Sequence, residues 1–198
     1  MSLRYALMAL LTVEPMTGYD LHKQFESSVG HVWHAPDSQI YPELKRMEAS
    51  GLLEGEDIPW GPRGKKRQYH LTDLGLADFQ HWMAQDLEYA RTRDPAHLKA
   101  AYLEWASPDA ARAHFENHAA YHRQLRDRWL QTVADIQQGR SPMLARRLSN
   151  SPAEQHDAII AFKAFTYEGL LDRAEAEINW AHRGLKLIER LYPAGEVP

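Results

Sequence analysis

The sequence predicts a mainly α protein in two parts, and three observations lead there. Apolar residues recur at helical spacing through most of the chain. Two short alternating segments, separated by a loop rich in glycine and proline, interrupt that pattern before Thr72. Beyond the polar, turn-like stretch "ARTRD" at residues 90–94 every segment reads as helix, and the last carries apolar residues in steps of four and three. The expected division is residues 1–90 and residues 91–198.

The totals narrow the classes. At 198 residues and 44% hydrophobic content the chain can bury one large or two small cores. A net charge of -4 excludes a bulk polycation, so any nucleic-acid contact must come from a local patch. The absence of cysteine excludes a thiol nucleophile, a disulfide framework and a cysteine zinc site, and fits a cytoplasmic setting. Arg4 before the apolar run Tyr5–Val13 mimics a secretory leader, but Glu14 and Pro15 follow at once without a small-residue cleavage pattern. The run is also too short to cross a bilayer, so it is expected to be a buried first helix with no membrane partner.

That first helix covers Leu3 to Val13 and is broken by "EPMTG". Thr17 caps a second helix with Leu21 and Phe25 on its apolar side and Gly30 near its end. The stretch "DSQIYPELKRMEASGLLE", residues 37–54, supplies the third helix, with Ile40, Leu44 and Met47 on one stripe and closure at Gly51. Its start is expected at Ser38 or Gln39, which puts Pro42 in or at the edge of the first turn, where proline is tolerated. Leu52–Glu56 and Arg67–Leu71 are the strand candidates, joined by the loop "IPWGPRGKKR". Thr72 then caps a fourth helix carrying Leu74, Leu76, Phe79, Trp82 and Met83.

In the second part, Asp94–Pro95, Ser107–Pro108 and Ser151–Pro152 each pair a capping side chain with a proline at the first helical position. Ser151 with Glu154 reads as a capping box. The middle helix is expected to reach Gly139. Along the last, Ile160, Ala164, Tyr167, Leu171, Ala174, Ile178, Ala181, Leu185, Ile188 and Tyr192 make a long coiled-coil-like seam. A helix packed inside its own domain would show the same seam. A length of about 60 Å outruns a domain this small, however, so part of the seam is expected to meet a second copy, through Ile160, Tyr167, Leu171, Ile178, Leu185 and Ile188.

Three helices followed by two strands and a basic loop is the order of a winged helix-turn-helix, and it is the fold expected for residues 1–90. In that fold the third helix enters the major groove and the hairpin lies on the phosphates. The outer side of the third helix offers Ser38, Gln39, Tyr41, Pro42, Lys45 and Arg46, of which glutamine suits adenine edges and arginine suits guanine or phosphate. Arg63, Lys65, Lys66 and Arg67 put four cations within five residues beside Gly61 and Gly64. With Thr17 and Tyr19 at the start of the second helix, these are the expected DNA-contacting residues.

Over residues 3–85 these stretches resemble the PadR family of transcriptional regulators. The resemblance rests on "EPMTGYDL", on Tyr41–Pro42–x–Leu44–x–x–Met47–x–x–x–Gly51–Leu52, and on Tyr69–x–Leu71–Thr72–x–x–Gly75. Met47 stands where leucine is commoner. The segments "DPAHLKAAYLEWASPDAARAHFENH" and "YEGLLDRAEAEINWAHRGL" are similar to the helical domain of the subgroup that includes virulence-gene activators. The resemblance implies a homodimer joined through C-terminal helices, usually a repressor and sometimes an activator, and often responsive to a small aromatic ligand. Effector residues are not shared across the family, so none carries over.

The histidines and tryptophans offer other chemistry. His114, His118 and His122 recur every four residues, a stripe that could hold a metal and make the chain a metal-responsive regulator. Phe115, His118, His122, Leu125, Trp129, Thr132 and Ile136 form their own four-three seam, however, so packing is the expected role of two of the three histidines, and no metal or cofactor is expected. His31 and His34 beside Trp33 are likewise read as structural. There is no Gly-rich phosphate loop, G-x-S-x-G or H-E-x-x-H, and an enzyme is not expected. A winged-helix protein-interaction module is the other alternative, and it has no need for the basic loop. Trp33, Trp60, Trp82, Trp105, Trp129 and Trp180 are core residues in the plain reading and lining for a flat ligand in the sharper one.

Overall fold

The computed structural model describes residues 3–27, 36–61, 63–89 and 93–193. Gly30, His31, Trp33, His34 and the start of the "ARTRD" boundary lie outside the described residues. The backbone divides into two compact units, Met1–Tyr89 and Ala90–Pro198.

In the first unit the order is α1 (Leu3–Leu11), β1 (Met16–Thr17), α2 (Gly18–Ser27), α3 (Asp37–Ala49), β2 (Leu53–Trp60), β3 (Gly64–Leu71) and α4 (Asp73–Met83). Its core is built by the stripes the three helices point at one another. Leu7, Met8, Leu21, Ile40, Leu44 and Met47 are the largest fully buried side chains, and Phe25 joins them. Thr17 caps α2 as expected, its Oγ1 accepting from the Asp20 amide at 3.2 Å. Gly51, at φ 73°, turns the chain out of α3 so that the Leu52 amide reaches back to the Met47 carbonyl at 3.0 Å.

The hairpin is longer than the sequence indicated. β2 and β3 pair antiparallel along their whole length, from Leu53↔Leu71 to Trp60↔Gly64, and β1 adds at the other side of β3 through Met16↔Tyr69 and Thr17↔Gln68. Pro59 and Gly64, which read as loop, are thus strand residues. Pro59 is accommodated because β2 is an edge strand, where an N–H can be missing without breaking a central ladder. α4 follows with its Thr72 cap in place, Oγ1 accepting from the Gly75 amide at 3.0 Å. Leu74, Leu76 and Met83 on this helix are exposed, so its apolar face is only partly used within the unit. Trp82 stacks on Tyr5 of α1 at 4.6 Å.

In the second unit come α5 (Pro95–Ala100), a 3-10 turn at Leu103–Trp105, α6 (Pro108–Gln137), α7 (Pro142–Ser149), a second 3-10 turn at Ala153–Gln155, and α8 (His156–Leu191). Asp94 and Ser107 cap α5 and α6 as expected, each with proline at the first helical position. Ser151 does not cap. A 3-10 turn intervenes before α8, and the Ser151 hydroxyl donates back to the Arg147 carbonyl at 2.7 Å. α7 repeats the Ser–Pro start, with Ser141 accepting from the Leu144 amide at 3.4 Å.

α6 and α8 pack along their lengths and make two clusters. One holds Trp129, Ile136, Leu144, Ala164, Tyr167 and Ala174. The other holds Ala111, Phe115, Ala119, Ala181 and Ile188. Among the described residues no helix is long and apolar enough to cross a membrane.

Candidate nucleic-acid interface

α3 is held from beneath and open above. Ile40 and Leu44 have no exposed surface and Met47 almost none, while Ser38, Gln39, Tyr41, Pro42, Lys45 and Arg46 are exposed. One element therefore carries an anchored face and a polar face. The helix starts at Asp37, a residue or two earlier than expected, so Pro42 is its sixth residue and lies beyond the first turn. Proline there supplies no N–H to the Ser38 carbonyl four residues earlier, a loss that the solvent on this exposed face can offset. Arg46 pairs with Glu43 at 2.7 Å yet stays 71% exposed, so its guanidinium is steered along the helix without being covered.

The four cations grouped on sequence separate in space. Arg63 lies in the hairpin turn and Lys65 on β3, both exposed. Lys66 is half-buried, its Nζ 3.0 Å from the Trp60 ring centroid and 5.2 Å from that of Tyr19. Arg67 differs from all three. Its Nε donates to Glu48 Oε1 at 3.0 Å and its Nη1 to Asp57 Oδ1 at 3.1 Å, and Nη2 also contacts Glu48. Hydrogen bonding to Glu48 holds its pKa above the ordinary arginine value. Arg67 thus spends its charge on a link from β3 to the end of α3 and to β2. Nothing in its sequence spacing distinguished it from Lys65 and Lys66.

Thr17 also needs correction as a contact residue. It is only 5% exposed, and its hydroxyl donates to Asp20 Oδ2 at 2.7 Å, so it shapes the start of α2 from below the surface. Tyr19 and Tyr41 do reach outward, each about half exposed. Together with Thr17, Gly18, Lys66, Arg67 and Tyr69 they line an open hollow of about 340 Å³ between the start of α2, α3 and β3. Two phenolic hydroxyls and an ammonium around such a hollow form a seat suited to an anionic oxygen.

In the second unit the seam chosen for a partner chain is largely occupied from within. Tyr167, Ile178 and Ile188 are buried, and Ile160, Leu171 and Leu185 pack against the two α6–α8 clusters. A four-three stripe reports that a helix has a partner but not whose it is, and here the 30 residues of α6 supply one. The exposed apolar residues of this unit include Phe162, Phe165, Leu187 and Leu191 on α8, Tyr121 and Leu130 on α6, and Leu98, Tyr102 and Trp105 near α5.

Of the histidines, His118 faces α8, with Nε2 3.1 Å from Glu177 Oε2. Burial holds the pKa values of His114 and His122 below the usual histidine range. The tryptophans do not converge among the described residues. Trp129 is buried with Tyr167, Trp180 stacks on His97, and Trp105 is 87% exposed.

The helices, the three-stranded hairpin sheet and the polar face of α3 define a winged helix-turn-helix protein. Residues 7–81 match the Transcriptional regulator PadR-like family. It is similar to the negative transcriptional regulator PadR of Bacillus subtilis, 27% identical over 191 residues that span 95% of this chain and 98% of that one. The fold is similar to that of B. subtilis PadR in complex with operator DNA, with TM-score 0.74, 24% identity and coverage of 94% and 98% of the two chains. It is also similar to PadR in complex with p-coumaric acid, with TM-score 0.68, 25% identity and coverage of 94% and 95%. The Vibrio cholerae virulence activator AphA matches with TM-score 0.68, 22% identity and coverage of 96% and 99%.

Proposed function

We propose that this chain is a sequence-specific DNA-binding transcriptional regulator, a homodimeric repressor that releases a pseudo-palindromic operator when a small aromatic effector binds. The observation that carries the reading is the pairing, in one unit, of a helix anchored by Ile40, Leu44 and Met47 with an exposed polar face and a hairpin bearing Arg63, Lys65 and Lys66. Gln39 and Arg46 read base edges, the three cations hold phosphates, and the hollow beside Tyr19, Tyr41 and Lys66 seats a backbone oxygen. Arg67 and Thr17 act as supports. The function resides in binding, and the relatives are regulators and not enzymes. Such a regulator works where the chromosome is, in the cytoplasm.

Repression is favoured over activation by the likeness, over nearly the whole chain, to a negative regulator. The effector class is favoured by the relative solved with p-coumaric acid. The homodimer buries the apolar residues that one chain leaves open, Phe162 and Phe165 on α8 with Leu98, Tyr102 and Trp105. Footprinting on the DNA flanking the protein's own gene tests the reading, with and without a panel of phenolic acids. The expected result is two protected half-sites about one helical turn apart, lost with at least one phenolic acid. Protection of no discrete site would overturn it.

A further inference from the structure

We propose that His118, His122 and Glu177 form a binding site for a divalent transition-metal ion of the zinc and nickel class, bridging α6 and α8. His118 and His122 are one helical turn apart on α6, and their rings lie 4.4 Å from each other, centre to centre. Glu177 approaches from α8. One donor atom from each of the three lies within 4.8 Å of the others, and all three residues are half-buried. A tetrahedral ion with bonds of about 2.0–2.1 Å sets its donors roughly 3.4 Å apart, so small side-chain rotations close the site.

Two imidazoles and one carboxylate suit zinc, nickel or copper, and too few oxygens are present for calcium or magnesium. Three protein donors leave a position open to water. Two features separate this cluster from a plain packing contact. The Nδ1 of His122 is buried without a hydrogen-bond partner among the described residues, a state that a histidine used only for packing would be expected to avoid. The surroundings also hold the ligands in place: the His97 ring meets His118 edge-on at 6.4 Å and stacks on Trp180 at 4.1 Å, and Trp180 meets His118 edge-on at 5.0 Å. The site is independent of the DNA-binding reading, because it lies wholly in the second unit.

Titration calorimetry tests it with full-length, tag-free protein treated with chelator, using zinc chloride and nickel chloride, with magnesium chloride as the control. One equivalent of zinc or nickel is expected to bind and to raise the melting temperature in a parallel thermal scan, with magnesium inert. Glu177→Gln keeps a hydrogen-bond acceptor for His118 but removes the anionic ligand. It is expected to preserve the metal-free melting temperature while lowering affinity by roughly 100-fold, at or beyond the 10–100-fold loss typical of an outer-shell partner. His122→Gln should behave alike, and His182→Gln, an exposed histidine on α8, should bind as the wild type does. No binding in the wild type, or equal binding in wild type, Glu177→Gln and His122→Gln, overturns the proposal.

Discussion

If Arg63 and Lys65 grip phosphate while Arg67 holds α3 to the hairpin, the three residues answer differently to salt. Arg63 and Lys65 are exposed and have no acidic partner at ion-pair distance among the described residues, whereas Arg67 is shared between Glu48 and Asp57. Replacing Arg63 and Lys65 by alanine removes four phosphate contacts from a dimer. At about 0.9 of slope for each, the plot of log affinity against log salt should flatten by roughly 3.6. Between about 50 and 200 mM salt that difference changes the ratio of wild-type to mutant affinity by about 150-fold. Arg67→Ala should leave the slope near the wild-type value, against a change of about 1.8 if it too gripped phosphate. Fluorescence anisotropy with a labelled operator, repeated over a salt series, reads all three slopes. A slope lowered by Arg67→Ala as much per residue as by the double substitution would refute the assignment. An unchanged slope in the double mutant would refute the hairpin's role altogether.

Other outcomes follow from packing and charge. Gly75→Ala would bring a Cβ to 2.1 Å from the Leu52 carbonyl oxygen and 3.1 Å from Leu71 Cδ2, forcing α4 off the hairpin. Even after the roughly 1 kcal/mol that alanine gains in a helix, a net loss of about 1–3 kcal/mol is expected in urea unfolding, and equal or greater stability would contradict the contact. Lys163 is half-buried, and that burial, with Arg147 nearby, lowers its pKa below 10.5. The folded chain therefore loses this proton before the unfolded one does. The group's contribution to stability then rises with pH between the lowered value and 10.5, and Lys163→Met should raise the melting temperature at pH 7, with the advantage fading as pH climbs toward 10.5 and gone above it. Phe162→Ser with Phe165→Ser should shift a dimer toward monomer in light scattering while leaving the melting temperature of the monomer little changed, since both rings are over 70% exposed in one chain.

The parts of the fold that were legible in the sequence are those written in local periodicity. Ile40, Leu44 and Met47 named the buried stripe of α3, and Thr17, Thr72, Asp94 and Ser107 named helix starts. What was hidden depends on neighbours distant in sequence. The hairpin reaches Trp60 and Gly64 because pairing across the strands outweighs the loop-like composition of Pro59 and Gly61. The α7 start at Ser141–Pro142 carries the same signal as the others. Ser151–Pro152 carried it too and made only a 3-10 turn. The heptad seam of α8 was visible, but α6 as its partner was not. In the interface the residue types were legible and their engagements were not, because Glu48 lies 19 residues from the arginine it holds. Glu177 is still further from its histidine, 59 residues along the chain from His118.

The link from Glu48 through Arg67 to Asp57 adds little to stability, since all three side chains are partly open to water. Its consequence is mechanical. In the proposed complex, α3 and the hairpin would arrive at the duplex as a caliper biased toward one gap. A mismatch between that gap and the local groove would be shared between the link and the DNA, which bends or narrows at an energetic cost fixed by its base steps. Positions between the two contacts, touched by no side chain, would then contribute to operator choice through their stiffness alone. Cutting the link with Arg67→Ala should broaden the sequences tolerated there, even where the grip on phosphate stays the same.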